Sequence, residues 1–183
     1  MNIHQLVETT SPKAASVKYK RRWLALRSGS MQLSDDKDRT WIFCDGSTTG
    51  WHAAVVVDPG RRIRKLARFE SPVSIANVGA ELNGLRLGLE AAEPDSSVTV
   101  VHDYMGVGAW LTGGWEVRVP SVRQRVDAAM KLIEKKNLDI RFIHHGGHQK
   151  DHSDFTRWNC VADKLCGDKQ ACDIVTEWDD RPS

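Results

Sequence analysis

Short apolar runs broken by turn residues occupy the chain from residue 40 to 70, and apolar positions recur at helical spacing beyond residue 77. Trp41–Asp45 predicts a first strand, ended by Gly46-Ser47. His52–Asp58 predicts a second, rich in valine and closed by Pro59-Gly60. Arg62–Glu70 alternates weakly and predicts a third. Turns of a few residues between them imply an antiparallel meander. Val78, Leu82, Leu85 and Leu89 then form one apolar stripe, predicting a helix over Asn77–Ala92, which Pro94-Asp95 ends. Val98–Val101 is a β-branched strand, followed by a helical stretch toward Trp110. Pro120-Ser121 opens an amphipathic helix with Val122, Val126, Ala129 and Ile133 on one side. Leu138–Ile143 is a fifth strand. After a polar loop, Phe155–Gln170 forms a last helix with Trp158, Ala162 and Leu165 on its buried side. The order β-β-β-α-β-α-α-β-α predicts an α/β fold: a five-stranded mixed sheet, antiparallel meander plus parallel strands, flanked by helices.

The flanks differ from this body. Residues 1–38 read as a basic appendage and linker, 39–173 as the folded domain and 174–183 as an acidic tail. Ala14–Leu26 mixes basic residues with Tyr19, Trp23, Leu24 and Leu26 and predicts a short helix. Lys13, Lys18, Lys20, Arg21, Arg22 and Arg27 outnumber Glu8 in the first thirty residues. The chain as a whole is only +2, so the remainder is net acidic. A basic arm on an acidic body fits contact with a polyanion, or equally a solvated tail. No apolar run approaches the roughly 20 residues of a membrane-spanning helix, and no signal pattern opens the chain. The expectation is a soluble, cytoplasmic protein, monomeric by default. Four cysteines among 183 residues make no disulfide framework. Cys160, Cys166 and Cys172 are spaced six apart, which is not zinc-ligand spacing.

Four acids stand where packing alone does not explain them. Asp45 falls within an apolar strand, on the same face as Trp41 and Phe43. An acid there needs a cation or a hydrogen-bonding cap, or else begins a turn with Gly46. Glu81 flanks the apolar stripe of the first helix, about 60° from Val78 at 100° per residue. Gly84 and Gly88 lie on the same side. Each glycine costs about 0.5–1 kcal/mol relative to alanine, so something approaches that face closely. Asp103 follows a strand end, where α/β sheets commonly place ligand-binding groups, and equally suits a helix N-cap. Asp163 lies one helical turn from Asn159, sharing its face, or is simply solvated. Together these acids form a hard-oxygen set suited to Mg²⁺ or Mn²⁺. Two such ions about 4 Å apart would offset the mutual repulsion and drive in-line attack of water on a phosphodiester.

The spellings around these acids make the resemblance specific. Phe43-Cys-Asp45-Gly46-Ser47, Asn77-Val-Gly-Ala-Glu81-Leu82, Val100-Val-His-Asp103, Gly147-His148 and Asn159-Cys-Val-Ala162-Asp163 occur in the order and on the elements of ribonuclease H of type 1. From about Arg39 to Cys172 the chain resembles that family. Asp103-Tyr104-Met-Gly106 with Trp110-Leu-Thr112-Gly113-Gly-Trp115 looks like a bacterial subgroup of it. The resemblance implies endonucleolytic cleavage of the RNA strand of RNA–DNA hybrids, leaving 5′-phosphate and 3′-hydroxyl ends. It implies two Mg²⁺ ions, with Mn²⁺ as a possible substitute, held by Asp45, Glu81, Asp103 and Asp163. Substrate contacts are implied at Gly46, Ser47, Asn77 and Asn159. The backbone around Gly46 and the Asn77 side chain would meet the 2′-hydroxyl, which distinguishes RNA from DNA. A histidine assisting turnover falls at His148, with His145 as the alternative.

This chain also departs from the family. The glycine-rich loop after the first strand is shortened to Thr48-Thr49-Gly50-Trp51, Met105 stands where a polar residue is common, and the loop 149–158 is long. The segment between Trp110 and Pro120 is too short for a basic protrusion, and the basic N-terminal segment would partly replace it. Two rival classes remain. One is a catalytically silent hybrid-binding module. The other is a different metal-dependent nuclease or a transposase of the same fold. A proofreading exonuclease would need Asp-x-Glu in the first strand and a transposase a glutamate in the last helix, whereas this chain has Asp45-Gly-Ser47 and Asp163.

Overall fold

The computed structural model describes residues 22–25, 33–60, 62–71, 76–146, 153–167 and 172–177, with 22–25 and 172–177 seen as backbone strands. In chain order come β1 (Arg22–Ala25), a 3-10 turn (Leu33–Asp36), β2 (Thr40–Gly46), β3 (Trp51–Val57), β4 (Arg62–Phe69) and α1 (Ala76–Ala91). They are followed by β5 (Ser97–His102), α2 (Met105–Leu111), α3 (Pro120–Lys135), β6 (Asp139–His144), α4 (Asp154–Gly167) and β7 (Cys172–Glu177). The strands form one sheet in the order β1-β6-β5-β2-β3-β4-β7. Strands β1, β6, β5 and β2 are parallel, and β3, β4 and β7 continue the sheet antiparallel.

The five expected strands and their mixed pairing are all present at the centre of this sheet. Alternation along them sorts the core into two layers. Ile42, Cys44, Ala54, Val56, Val100 and Phe142 face α1 and α3. Trp41, Phe43, Val55, Val101 and Ile143 face α4, where they meet Phe155, Trp158 and Ala162. Covering on both faces is why β2 reads as a nearly continuous apolar run. Phe155 is fully buried, with its ring 5.4 Å from that of Trp41. That burial contributes about 2–3 kcal/mol.

The close approach inferred from the helix glycines is to the sheet itself. A Cβ on Gly84 would stand 2.5 Å from the Asp45 carbonyl oxygen and 2.8 Å from that of Ala53, and one on Gly88 would strike Ile42. Side chains at these positions would lift α1 off β2 and β3.

The flanks differ from expectation. Of the helix expected over Ala14–Leu26, residues 14–21 and 26 lie outside the described residues, and Arg22–Ala25 is a strand. Arg22–Ala25 pairs in parallel with Arg141–His144 of β6. An isolated helix of that length is marginal in water, whereas the open edge of β6 offers a row of unpaired backbone groups. The expected linker is partly packed: Leu33 is buried, and its N–H donates to Asp154 Oδ2 at 3.1 Å. At the other end, 172–177 adds to β4 as an edge strand. Helix α4 is described to Gly167, three residues short of the expected end.

Candidate active site

The parallel strands β2, β5 and β6 all end at one edge of the sheet, at Gly46, His102 and His144. Asp45 lies one residue before the end of β2. It is buried, and its Oδ1 accepts the Gly46 N–H at 2.8 Å. Glu81 comes from α1. It reaches the same place because Gly46 carries no side chain where the Ala80–Glu81 peptide passes: a Cβ on Gly46 would overlap Ala80 C and Glu81 N. Asp103 follows β5 directly. One carboxylate oxygen from each of Asp45, Glu81 and Asp103 lies within 4.8 Å of the others. Asp163, exposed on α4, brings its carboxyl within hydrogen-bonding reach of Asp45. The four acids marked in the sequence therefore converge, three as a tight cluster and the fourth beside it.

The N-cap alternative for Asp103 is not realised. Tyr104 is the cap residue of α2, and no side chain caps that helix.

The electrostatics of this cluster are unfavourable without a cation. Burial, then Asp103, pushes the Asp45 carboxyl up to about 7, with the Gly46 N–H opposing. Burial, then Asp103 and Asp45, pushes Glu81 up to about 10. Glu81 Oε2 is buried and has no hydrogen-bond partner. Carboxylates forced together with an orphaned oxygen among them fit a hard divalent cation, which would neutralise the repulsion and complete the orphan. Among the described residues, this carboxylate trio is the one group of three or more such side chains arranged to hold a metal. Cys44, Cys160 and Cys166 are free thiols.

The other residues singled out in the sequence fall around this cluster. Gly46 orients Asp45 through its N–H. The Ser47 hydroxyl lies 2.7 Å from that of Thr49 and accepts the Thr49 N–H at 3.1 Å. It thus shapes a tight turn, in which Gly50 adopts φ +97°. Asn77 is exposed in the first turn of α1, one turn before Glu81 and on the same face. Asn159 is buried one turn before Asp163, with its Oδ1 unpartnered. His145 is buried, with Nε2 3.1 Å from Thr156 Oγ1 and its ring edge-on to Phe155. That environment anchors the start of α4 and does not suit a mobile histidine. His148 lies outside the described residues.

Two histidines that sequence reasoning did not place belong here. His102 is fully buried, with Nδ1 2.9 Å from the Tyr104 carbonyl oxygen. Burial, then His144, lowers its pKa to about 3, so the ring is neutral. His144 Nε2 lies 2.9 Å from the Asp103 carbonyl oxygen, and the two rings are 5.9 Å apart. The only sequence signal was the position of both at strand ends. Their acceptors are backbone carbonyls, which no side-chain pattern records.

Beyond Asp103 the rings of Tyr104, Trp110 and Trp115 follow one another at 5.8 and 6.3 Å. They lead to an open groove of about 460 Å³ that Trp110, Trp115, Val117 and Val119 help to line.

No family model matches the chain, and no curated protein sequence matches it. Solved structures do match. The ribonuclease H1 of the halophilic archaeon Halobacterium salinarum NRC-1 aligns with a TM-score of 0.56 at 22% identity, over 70% of this chain and 98% of that one. The N-terminal ribonuclease H domain of a Mycobacterium tuberculosis protein gives 0.52 at 22% identity, over 69% and 95%. A ribonuclease H1 named LC11, solved in complex with an RNA/DNA hybrid, gives 0.54 at 17% identity, over 69% and 98%. Such identities speak for the fold, and the fold of this chain is that of the type 1 ribonucleases H.

Proposed function

We propose that the protein is a ribonuclease H: a metal-dependent endonuclease that hydrolyses the RNA strand of RNA–DNA hybrids. The observation that carries this reading is the Asp45, Glu81 and Asp103 cluster at the carboxyl ends of β2 and β5, with Asp163 beside it. Fold alone does not fix an activity. A buried, mutually repelling carboxylate set is costly to keep unless something cationic binds there.

Asp45, Glu81, Asp103 and Asp163 would hold two Mg²⁺ ions, or Mn²⁺ in their place. When bound, such ions supply the Lewis acidity that prepares water for in-line attack and stabilises charge on the leaving 3′ oxygen. The products would carry 5′-phosphate and 3′-hydroxyl ends. The chain's own groups do the positioning. Asp45 is held in one orientation by the Gly46 N–H. Glu81 is delivered by a helix that glycines seat directly on the sheet. Asn77 and the backbone around Gly46 would meet the 2′-hydroxyl at the scissile nucleotide, with Ser47 and Asn159 contacting the same strand. His148 would assist product release. The aromatic series from Tyr104 to Trp115 offers flat apolar surface where the hybrid leaves the cluster.

The test is gel-resolved cleavage of one labelled RNA strand in three forms: annealed to DNA, annealed to RNA, and single-stranded. Each is run with Mg²⁺, with Mn²⁺ and with EDTA, beside Asp45→Asn. The expected result is metal-dependent cleavage of the hybrid alone, absent in the variant. Tight hybrid binding without cleavage in either metal would replace this reading with a silent binding module. Cleavage of all three forms would keep the nuclease and discard the hybrid specificity.

A further inference from the structure

The turn that delivers Asp103 links the end of β5 to α2, a helix of seven residues whose N-cap supplies no side-chain hydrogen bond. The direction of the Asp103 carboxylate depends on the two peptide planes that flank its Cα, His102–Asp103 and Asp103–Tyr104, and on the turn that follows them. The carbonyls of Asp103 and Tyr104 each face an imidazole nitrogen at 2.9 Å. His144 Nε2, from the end of β6, meets the Asp103 carbonyl. His102 Nδ1, from the end of β5, meets the Tyr104 carbonyl. A carbonyl oxygen only accepts, so each ring must donate an N–H at that nitrogen. The main chain adds two more ties to the same place: the His145 N–H donates to the His102 carbonyl at 2.9 Å, and the Val107 N–H donates to the Tyr104 carbonyl at 3.1 Å. The base of the clamp is rigid: His102 is fully buried, its ring edge-on to Phe142 at 6.2 Å and tilted against His144 at 5.9 Å.

We propose that His102 and His144 are positioning residues. They clamp the Asp103–Tyr104 turn by its two carbonyls and so preset the third metal-binding carboxylate before any cation arrives. This inference rests on the ribonuclease H reading, because it assigns the clamp a purpose only if Asp103 binds metal. The physical reason is that the partners of metal-bearing groups commonly set ligand orientation as strongly as the ligands set affinity, with losses of about 10–100-fold when they are removed. Here the partner grips the ligand's backbone rather than its carboxylate. The half-exposed His144 is the better handle, because replacing the fully buried His102 risks the fold itself.

The experiment uses the full chain and three proteins: wild type, His144→Leu and His144→Gln. Gln keeps an N–H donor at about the reach of Nε2, and Leu keeps the bulk without the donor. Mn²⁺ binding is measured by titration calorimetry in the absence of nucleic acid. The metal concentration for half-maximal cleavage and the KM for hybrid are measured separately. His144→Leu is expected to weaken Mn²⁺ binding about tenfold and to raise the half-maximal metal concentration in step, with KM for hybrid unchanged. His144→Gln is expected to recover most of the loss. Unchanged Mn²⁺ affinity in the Leu variant would overturn the clamp, as would equal impairment of the Leu and Gln variants. If wild type itself neither binds Mn²⁺ nor cleaves hybrid, it is the underlying ribonuclease H reading that fails.

Discussion

At the amino-terminal ends of β5 and β6, Arg39 places a nearly buried guanidinium among acceptors. Its Nε donates to Thr99 Oγ1 at 2.9 Å, its Nη1 to Asp139 Oδ2 at 3.0 Å, and its Nη2 to the Val98 and Asp139 carbonyls at 2.7 and 2.9 Å. At the opposite ends of the central strands, Asp45, Glu81 and Asp103 are gathered within 4.8 Å of one another, and Glu81 keeps a buried oxygen without a partner. Both ends bury charge. One neutralises it within the chain, and the other is relieved by taking up protons or by an added cation. That contrast separates a charge kept for structure from charges kept for binding.

The largest effects should follow from breaking each end in turn. Glu81→Gln removes a carboxylate oxygen from the proposed metal site and should cost several kcal/mol of transition-state stabilisation, about a thousandfold in cleavage rate. The metal-free variant should melt no lower than wild type, because wild type must take up a proton at Glu81 on folding and glutamine need not. Arg39→Ala should do the reverse. It strands the Val98 and Asp139 carbonyls and should lower stability by about 3 kcal/mol, while the fraction still folded cleaves with unaltered metal dependence. A denaturation series paired with rates at low temperature separates the two outcomes. If Arg39→Ala shifted the metal requirement, the two ends would not be independent.

The same contrast predicts a pH dependence with a definite sign. Asp45 and Glu81 have folded-state pKa values of about 7 and about 10, above their ordinary 3.8 and 4.5. The folded protein therefore holds these protons more tightly than the unfolded chain. The stabilisation is complete below the ordinary values and is lost as pH rises through 7 and toward 10. Metal-free wild type should melt at progressively lower temperature across that window. Mg²⁺ should restore the loss, and Glu81→Gln should flatten the curve. A melting temperature that rose with pH over this window would contradict the assignment of these carboxyls as raised.

A smaller effect sharpens how the cluster is assembled. Gly46→Ala places a Cβ against the Ala80–Glu81 peptide and should cost about 2 kcal/mol. Cleavage should fall by more than the folded fraction does, because α1 carries Glu81 as it shifts. Gly60→Ala, with nothing within 4 Å of the added carbon, should leave both within about 0.5 kcal/mol of wild type.

Much of this was legible in the chain. The alternation of Trp41–Asp45 and the 4-3-4 stripe from Val78 to Leu89 fixed the faces that α4 and α1 cover. Asp45 was marked by being an acid on an apolar face, and Gly84 and Gly88 by being costly in a helix. What escaped was of two kinds. Strand β1 has no alternation of its own and forms because β6 presents an open edge, a property of the assembled sheet rather than of residues 22–25. The imidazole contacts to the Asp103 and Tyr104 carbonyls also escaped, because backbone acceptors leave no trace in residue types.

Strand β1 also changes how the basic arm must be tested. It runs parallel to β6, with Ala25 opposite His144, so the chain leaves β1 at the carboxylate end of the sheet. We propose that basic residues of this arm add phosphate contacts to a bound hybrid. Deleting residues 1–30 would also strip the strand that covers β6, confounding binding with folding. Replacing Lys18, Lys20, Arg21 and Arg27 by glutamine leaves the strand's own residues in place. The expected effect is the smallest of the series: a several-fold weaker hybrid Kd at moderate salt, with the slope of log Kd against log salt flatter by about one for each phosphate no longer neutralised. The cleavage rate at saturating hybrid should not change, since the carboxylates are untouched. An unchanged salt slope would make the arm a bystander and leave the body of the domain to bind the hybrid alone. A lower saturated rate would mean that the arm also bears on the geometry at the ends of β5 and β6.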